Sequence, residues 1–226
     1  MQLTFYGQSC FMVEVNGTKI LFDPFITPNP KAKHINVESI RPDYLFLSHG
    51  HGDHVADAID IATRSGATCV ANAEIADWLS GKGLKVHPMN QGGFISFDFG
   101  KVRGVSAIHS SSLPDGSYAG NPLGFVFNTT AGNFYFAGDT ALTMDMQLIP
   151  RWSKPDFSVL PIGGNFTMDV ADAIIAAEFV NCNTVVGVHY NTFDLIAIDT
   201  VKAEADFKAA GKTLLLPGIG ETVEVG

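Results

Sequence analysis

His49-Gly50-His51-Gly52-Asp53-His54 is the stretch on which the reading of this chain turns. Four potential metal ligands stand in six positions, in a chain of 226 residues with only seven histidines. Neutral imidazole is the commonest protein ligand for zinc, and carboxylates complete such sites. The run follows Tyr44 to Leu47, a short apolar strand, and precedes a helical pattern over Val55 to Arg64 that Gly66 stops. Glycines at 50 and 52 let a loop turn successive side chains toward one point without Cβ clashes. A loop at a strand end can thus aim His49 and His51 at one metal ion and Asp53 and His54 at a second. The competing reading is a polar surface turn that happens to hold histidines; four candidate ligands in six positions are too dense for it.

Working outward, the chain alternates short strands with a few helices. Strands are predicted at Gln2 to Phe5, Ser9 to Val15 and Thr18 to Phe22, with the hairpin signal Asn16-Gly17 between the last two. A proline-rich loop follows at Pro24, Pro28 and Pro30. Further strands are predicted at Thr68 to Ala71, Lys85 to His87, Phe94 to Phe97, Lys101 to Ile108 and Gly124 to Asn128. The set continues with Phe134 to Ala137, Ser158 to Leu160, Thr184 to Val188, Thr213 to Leu216 and Thr222 to Val225. Helical patterns fall at Ala73 to Leu79, Ala171 to Val180 and Thr200 to Ala209. No linker, charge block or low-complexity segment interrupts them. Many short strands with interspersed helices imply layered sheets covered by helices, in a single mixed α/β domain over residues 1–226.

Composition narrows the function. Hydrophobic residues make up 46% and charged residues 16%, enough to bury a core and too apolar for a disordered chain. A net charge of −9 disfavours partners with phosphate backbones or anionic lipid surfaces, so neither a nucleic acid nor a membrane is expected. Cys10, Cys69 and Cys182 form no C-x-x-C spacing and read as buried thiols of a reducing compartment. The first residues lack a secretory pattern, and no apolar run reaches bilayer length, so a cytoplasmic location is expected.

The histidine run matches the H-x-H-x-D-H box of the metallo-β-lactamase fold hydrolases, and the chain resembles that superfamily over nearly its whole length. Later landmarks arrive in order: Ala107-Ile108-His109, then Tyr135-Phe136-Ala137-Gly138-Asp139-Thr140, then Gly187-Val188-His189-Tyr190. Within the superfamily it resembles the metal-dependent hydrolases related to the ascorbate-6-phosphate lactonases. The stretches carrying that likeness are Ile20 to Phe25, His109 to Ser112, Leu160 to Met168 and His189 to Phe193. The resemblance implies a four-layer αββα sandwich, two sheets face to face with helices outside. It also implies two divalent metal ions, zinc first, with manganese or iron as alternatives. His49, His51 and His109 would hold one, Asp53, His54 and His189 the other, and Asp139 would bridge them. Each later candidate follows a predicted strand, and strand ends cluster along one sheet edge.

The implied chemistry is attack by a metal-bridging hydroxide on an ester, lactone or related bond of a small molecule. Asp53 is the catalytic candidate, orienting the nucleophile. Asp23 is a candidate partner for the second ring nitrogen of a ligand histidine, or simply a strand-ending residue before Pro24. Oxygen-reducing di-iron relatives carry Glu where this chain has His51, which favours hydrolysis over redox chemistry. Substrate contacts are expected from the polar loops holding Ser110, Asn165 and Asn191, although such residues often only satisfy backbone turns. A metal-held water or Tyr190 is a candidate acid for the leaving group. Alternatives are a phosphodiesterase or nuclease of the same fold and a metal-binding module without turnover. A homo-oligomer is left open.

Overall fold

Short, largely apolar runs build two sheets, each buried on both faces. The computed structural model describes residues 1–226. The first sheet contains β1 (Gln2–Gly7), β2 (Cys10–Val15), β3 (Thr18–Phe22), β4 (Tyr44–Phe46), β5 (Thr68–Ala71) and β6 (Val86–Pro88). The second contains β7 (Phe94–Phe97), β8 (Gly100–Ser106), β9 (Leu123–Thr129), β10 (Gly132–Phe136), β11 (Phe157–Pro161), β12 (Thr184–Val188) and β13 (Thr213–Leu215). A last strand, β14 (Thr222–Glu224), returns to pair antiparallel with β1 in the first sheet.

Both sheets are mixed in the same way. Running from β14 and from β7, three antiparallel pairings are followed by three parallel ones. Parallel strands need crossovers, and helices supply most of them. These are α1 (Gly52–Val55), α2 (Ala58–Ser65), α3 (Ala73–Ser80), α4 (Val170–Phe179) and α5 (Thr200–Ala209).

Side-chain parity sorts the core into three layers. Ile20 and Phe22 of β3 enter the layer between the sheets, while Leu21 faces the helices α2 and α3. In β10, Phe134 and Phe136 enter the same central layer, and Tyr135 faces the α4 and α5 side. The architecture is therefore the expected αββα sandwich. No helix is long and apolar enough to cross a membrane.

Two local differences from the sequence reading have clear causes. The pattern over Val55 to Arg64 is split into α1 and α2, because Asp57 leaves helical geometry (φ −101°, ψ 4°). Its carboxylate instead accepts hydrogen bonds from Ile26 N at 2.6 Å and Thr27 N at 2.9 Å, pinning the proline-rich loop. Met144–Arg151 forms 3₁₀ turns where no element was expected, with Thr143 as its N-cap and Pro150 near its end.

Phe22 is the hinge-pin of the central layer. Its ring lies 4.5 Å from Phe11 and 5.7 Å from Phe46 in its own sheet, and 5.4 to 6.1 Å from Phe127, Phe134 and Phe136 of the other. Phe22→Ala should lower the unfolding free energy by about 3–5 kcal/mol in urea titration. Val201→Ala on the exposed face of α5 should stay within about 0.5 kcal/mol.

Candidate metal centre

The strands β1, β3, β4, β8, β10 and β12 all end on one shared edge of the sandwich. Every candidate ligand sits just past one of those ends. The box follows β4, His109 follows β8, Asp139 follows β10 and His189 follows β12. Gly50 is required by packing rather than by backbone angle: a Cβ there would come within 2.9 Å of the Ser112 carbonyl oxygen. Gly52, in contrast, opens α1 with free space around it.

The side chains converge as two triads. His49, His51 and His109 bring one ring nitrogen each within 4.8 Å of one another, and so do the ligand atoms of Asp53, His54 and His189. Asp139 lies between them, with Oδ2 3.0 Å from His189 Nε2, 3.2 Å from His54 Nε2 and 3.7 Å from His109 Nε2. These contacts are crowded and poorly compensated. His49 Nε2 faces His51 Nδ1 at 3.0 Å, and buried His54 Nε2 and Asp139 Oδ1 find no hydrogen bond of good geometry. Converging nitrogens and oxygens left without partners, with no thiolate among them, fit borderline divalent cations.

Asp23 explains how two of the histidines are aimed. It is fully buried, and its Oδ2 accepts from Ser48 Oγ at 2.5 Å and from His54 Nδ1 at 2.8 Å. Ser48 N donates to Oδ1 at 2.7 Å. Because Ser48 gives its proton to Asp23, its oxygen accepts from His49 Nδ1 at 3.0 Å. One carboxylate thereby fixes the tautomer of a histidine in each triad and leaves both Nε2 atoms facing inward.

Gln8 and Thr140, which the sequence did not single out, tie the loops together. Gln8 Nε2 donates to Asp53 Oδ2 at 2.9 Å, while the Gln8 backbone carbonyl accepts from His189 N at 2.8 Å. Thr140 Oγ1 accepts from Ile108 N at 2.9 Å and donates to the Ala141 carbonyl, linking the Asp139 and His109 loops. Gln8 (φ 55°), Asp23 (φ 40°) and His189 (φ 55°) all adopt left-handed backbone.

The side chains of the site share charge unevenly. Burial pushes the His54 pKa down, but Asp139, Asp53 and Asp23 outweigh it and hold it well above the usual histidine value. Burial raises Asp53 and Asp139, yet the neighbouring His54 dominates and both lie below the ordinary carboxylate value. Desolvation lowers His49, His51 and His109, which favours the neutral, ligating imidazole.

The triads open onto a cleft of about 570 Å³, completed by Phe25, Phe166, Phe193 and Ser110. Ser110 Oγ stands 3.4 Å from His51 Nε2. The other residues proposed for substrate contact lie elsewhere. Asn165 is exposed at a left-handed turn (φ 58°) outside the cleft wall, where Asn is favoured because it tolerates that backbone. Asn191 spends its Oδ1 on Ile198 N at 2.7 Å. Tyr190 faces a separate cavity, its ring parallel to Phe5 at 6.5 Å, and burial pushes its pKa up to about 12.

Known proteins match the chain and its fold. A family described as a β-lactamase superfamily domain matches residues 2–189. A UPF0173 metal-dependent hydrolase of Flavobacterium johnsoniae is 51% identical over 225 residues, spanning 100% of both chains. Another from Bacillus cereus is 46% identical over 204 residues, covering 88% of this chain and 89% of its own. The solved metallo hydrolase of Ignicoccus hospitalis superposes with a TM-score of 0.89 at 35% identity, over 98% of this chain and 97% of that one. An isothiocyanate hydrolase from Delia radicum gut bacteria shares the fold, with a TM-score of 0.80 at 21% identity over 99% and 98% of the two chains.

Asp23→Asn should weaken divalent-metal affinity about 10- to 100-fold, measured by competition with a chromophoric chelator; unchanged affinity would remove Asp23 from the aiming of the ligands. In the chelated protein, Asp53 and Asp139 have depressed folded pKa values. Their contribution is complete above the unfolded value near about 4 and is lost as pH falls through the lower folded values. The raised His54 contributes fully below about pH 6.5 and loses its contribution as pH rises through its folded value. Melting temperature against pH should therefore fall on both flanks in the chelated chain, with a shallower acid flank in Asp139→Asn.

Proposed function

This chain belongs to the metallo-β-lactamase superfamily, among its metal-dependent hydrolases, and we propose that it is a dinuclear enzyme cleaving ester, lactone or related acyl bonds of small molecules. The observation that carries this reading is the pair of three-ligand sets arranged around one shared carboxylate, Asp139. Two divalent cations, zinc by the all-imidazole and carboxylate donor set, would supply Lewis acidity that brings the pKa of water toward about 7 and balances charge developing on the substrate.

The chain's own residues supply position. His49, His51 and His109 form one set of ligands, Asp53, His54 and His189 the other. Asp53 reaches the cleft with Oδ2 already held by Gln8, so it can accept a hydrogen bond from the attacking water and orient it. The water oxygen joins the acyl carbon, the acyl–oxygen bond breaks, and a proton passes to the leaving oxygen. Tyr190, next to His189 in sequence, lines the cavity beside Phe5 rather than this cleft. Ser110, beside His51 on the cleft wall, is placed to hydrogen-bond the substrate. The buried, free thiols Cys10, Cys69 and Cys182 suit a reducing compartment, and we place the enzyme in the cytoplasm.

Elemental analysis of tag-free protein should find about two divalent ions per chain after reconstitution. Chelation or Asp139→Ala should abolish hydrolysis of aryl esters and lactones, with at least about a 100-fold loss in kcat/KM. Two bound ions with no hydrolysis of any acyl substrate would favour a metal-binding module instead. Cleavage of RNA with steep salt dependence would favour the nuclease reading.

A further inference from the structure

We propose that the cleft selects an uncharged substrate with an apolar acyl chain or ring, held by Phe25, Phe166 and Phe193; this rests on the hydrolase reading above and names its substrate class. Apart from the metal-ligand candidates, the cleft wall consists of these three phenylalanines and Ser110. No lysine or arginine reaches it. A remote phosphate or carboxylate on the substrate would thus meet no cation, in a chain that carries a net charge of −9. Lys31 lines the separate cavity beside Tyr190, and Arg103 is stacked 3.7 Å from the Trp152 ring on another face.

The rings are exposed where a substrate would cover them. Phe166 is 52% and Phe193 41% exposed, although every other phenylalanine of the chain is buried or half-buried. Leaving two rings open beside a polar metal-ligand cluster is unfavourable in water and is relieved by an apolar ligand. The rings are also held rather than loose. Phe25 is buried and packs against Phe193 at 6.2 Å with a 51° tilt. Phe166 projects from the Gly164-Asn165 turn, whose neighbour Met168 donates its N–H to the Thr140 carbonyl at 3.0 Å. Each ring sits next to a ligand segment: Phe25 follows Asp23, Phe193 follows His189, and the loop carrying Phe166 is joined to the Asp139 loop through Met168 N and the Thr140 carbonyl. A volume of about 570 Å³ suits a small ligand rather than a polymer.

The test uses the zinc-reconstituted full chain and p-nitrophenyl esters from acetate to octanoate. Each added methylene should raise kcat/KM about three- to fourfold until the cleft fills. An ω-carboxylate on an ester of matched length should lower kcat/KM at least about tenfold. Phe166→Ala and Phe193→Ala should flatten the chain-length dependence, mainly through KM, with metal content unchanged. Binding of non-hydrolysable phenylalkyl methyl ketones, followed by calorimetry, gives a second readout. Affinity should rise with chain length, with a negative heat-capacity change.

The outcomes separate the two readings. Hydrolysis with a flat series, or one that favours the ω-carboxylates, would overturn the apolar substrate class and leave the hydrolase standing. No hydrolysis, but ketone affinity that rises with chain length and is lost in the phenylalanine variants, would keep the apolar cleft and overturn the hydrolase. If Phe166→Ala and Phe193→Ala change only the oligomeric state in ultracentrifugation, the rings are an interface between copies and the proposal falls.

Discussion

The buried carboxylate of Asp23 does more to define this site than any candidate ligand. It sits behind the cluster, out of contact with the cleft, and holds His54 directly and His49 through Ser48. Burial of a carboxylate is costly unless its oxygens are satisfied. Here the three donors that satisfy it are the same groups that need to be aimed. Desolvation raises its pKa while His54 and Ser48 pull it down, so the carboxylate and its donors stabilise each other. The arrangement links one member of each triad to a common anchor, so that the two halves of the site are oriented together.

That anchoring works only if the two sheets keep their relative position. The box comes from the first sheet, whereas His109, Asp139 and His189 come from the second. What fixes one against the other is the aromatic layer around Phe22, where rings from both sheets meet edge to face. The hydrogen bond from His189 N to the Gln8 carbonyl crosses the same boundary at the site itself. Protein interiors of this kind deform little, which suits a site whose ligand atoms must stay within ångströms of their places.

Much of this was legible in the sequence, for physical reasons. Short apolar runs such as Thr18–Phe22 and Phe157–Pro161 announce strands because sheets packed on both faces bury consecutive positions. The histidine box is dense enough to stand out without context. Gln8 was not legible, because nothing local marks a glutamine whose partners, Asp53 and His189, lie 45 and 181 positions away. Asn165 and Asn191 illustrate the opposite case: they look like recognition residues in polar loops, yet neither lines the cleft, and Asn191 Oδ1 accepts from Ile198 N. The split between α1 and α2 was hidden too, since Asp57 answers to backbone amides in a loop some thirty residues earlier.

The left-handed backbones of Gln8, Asp23 and His189 carry a consequence for how such a protein diverges. Each is held in a conformation that costs of order 1–3 kcal/mol for a side chain to adopt, and that glycine adopts freely. Glycine at these positions would relax the backbone but delete the functional group, and most other residues would keep the strain without the group. Drift at the chemical centre is therefore trapped from both sides. Phe166 and Phe193 sit on ordinary backbone at the open rim, where substitution disturbs little beneath them. Descendants of this chain can change their diet while keeping their teeth.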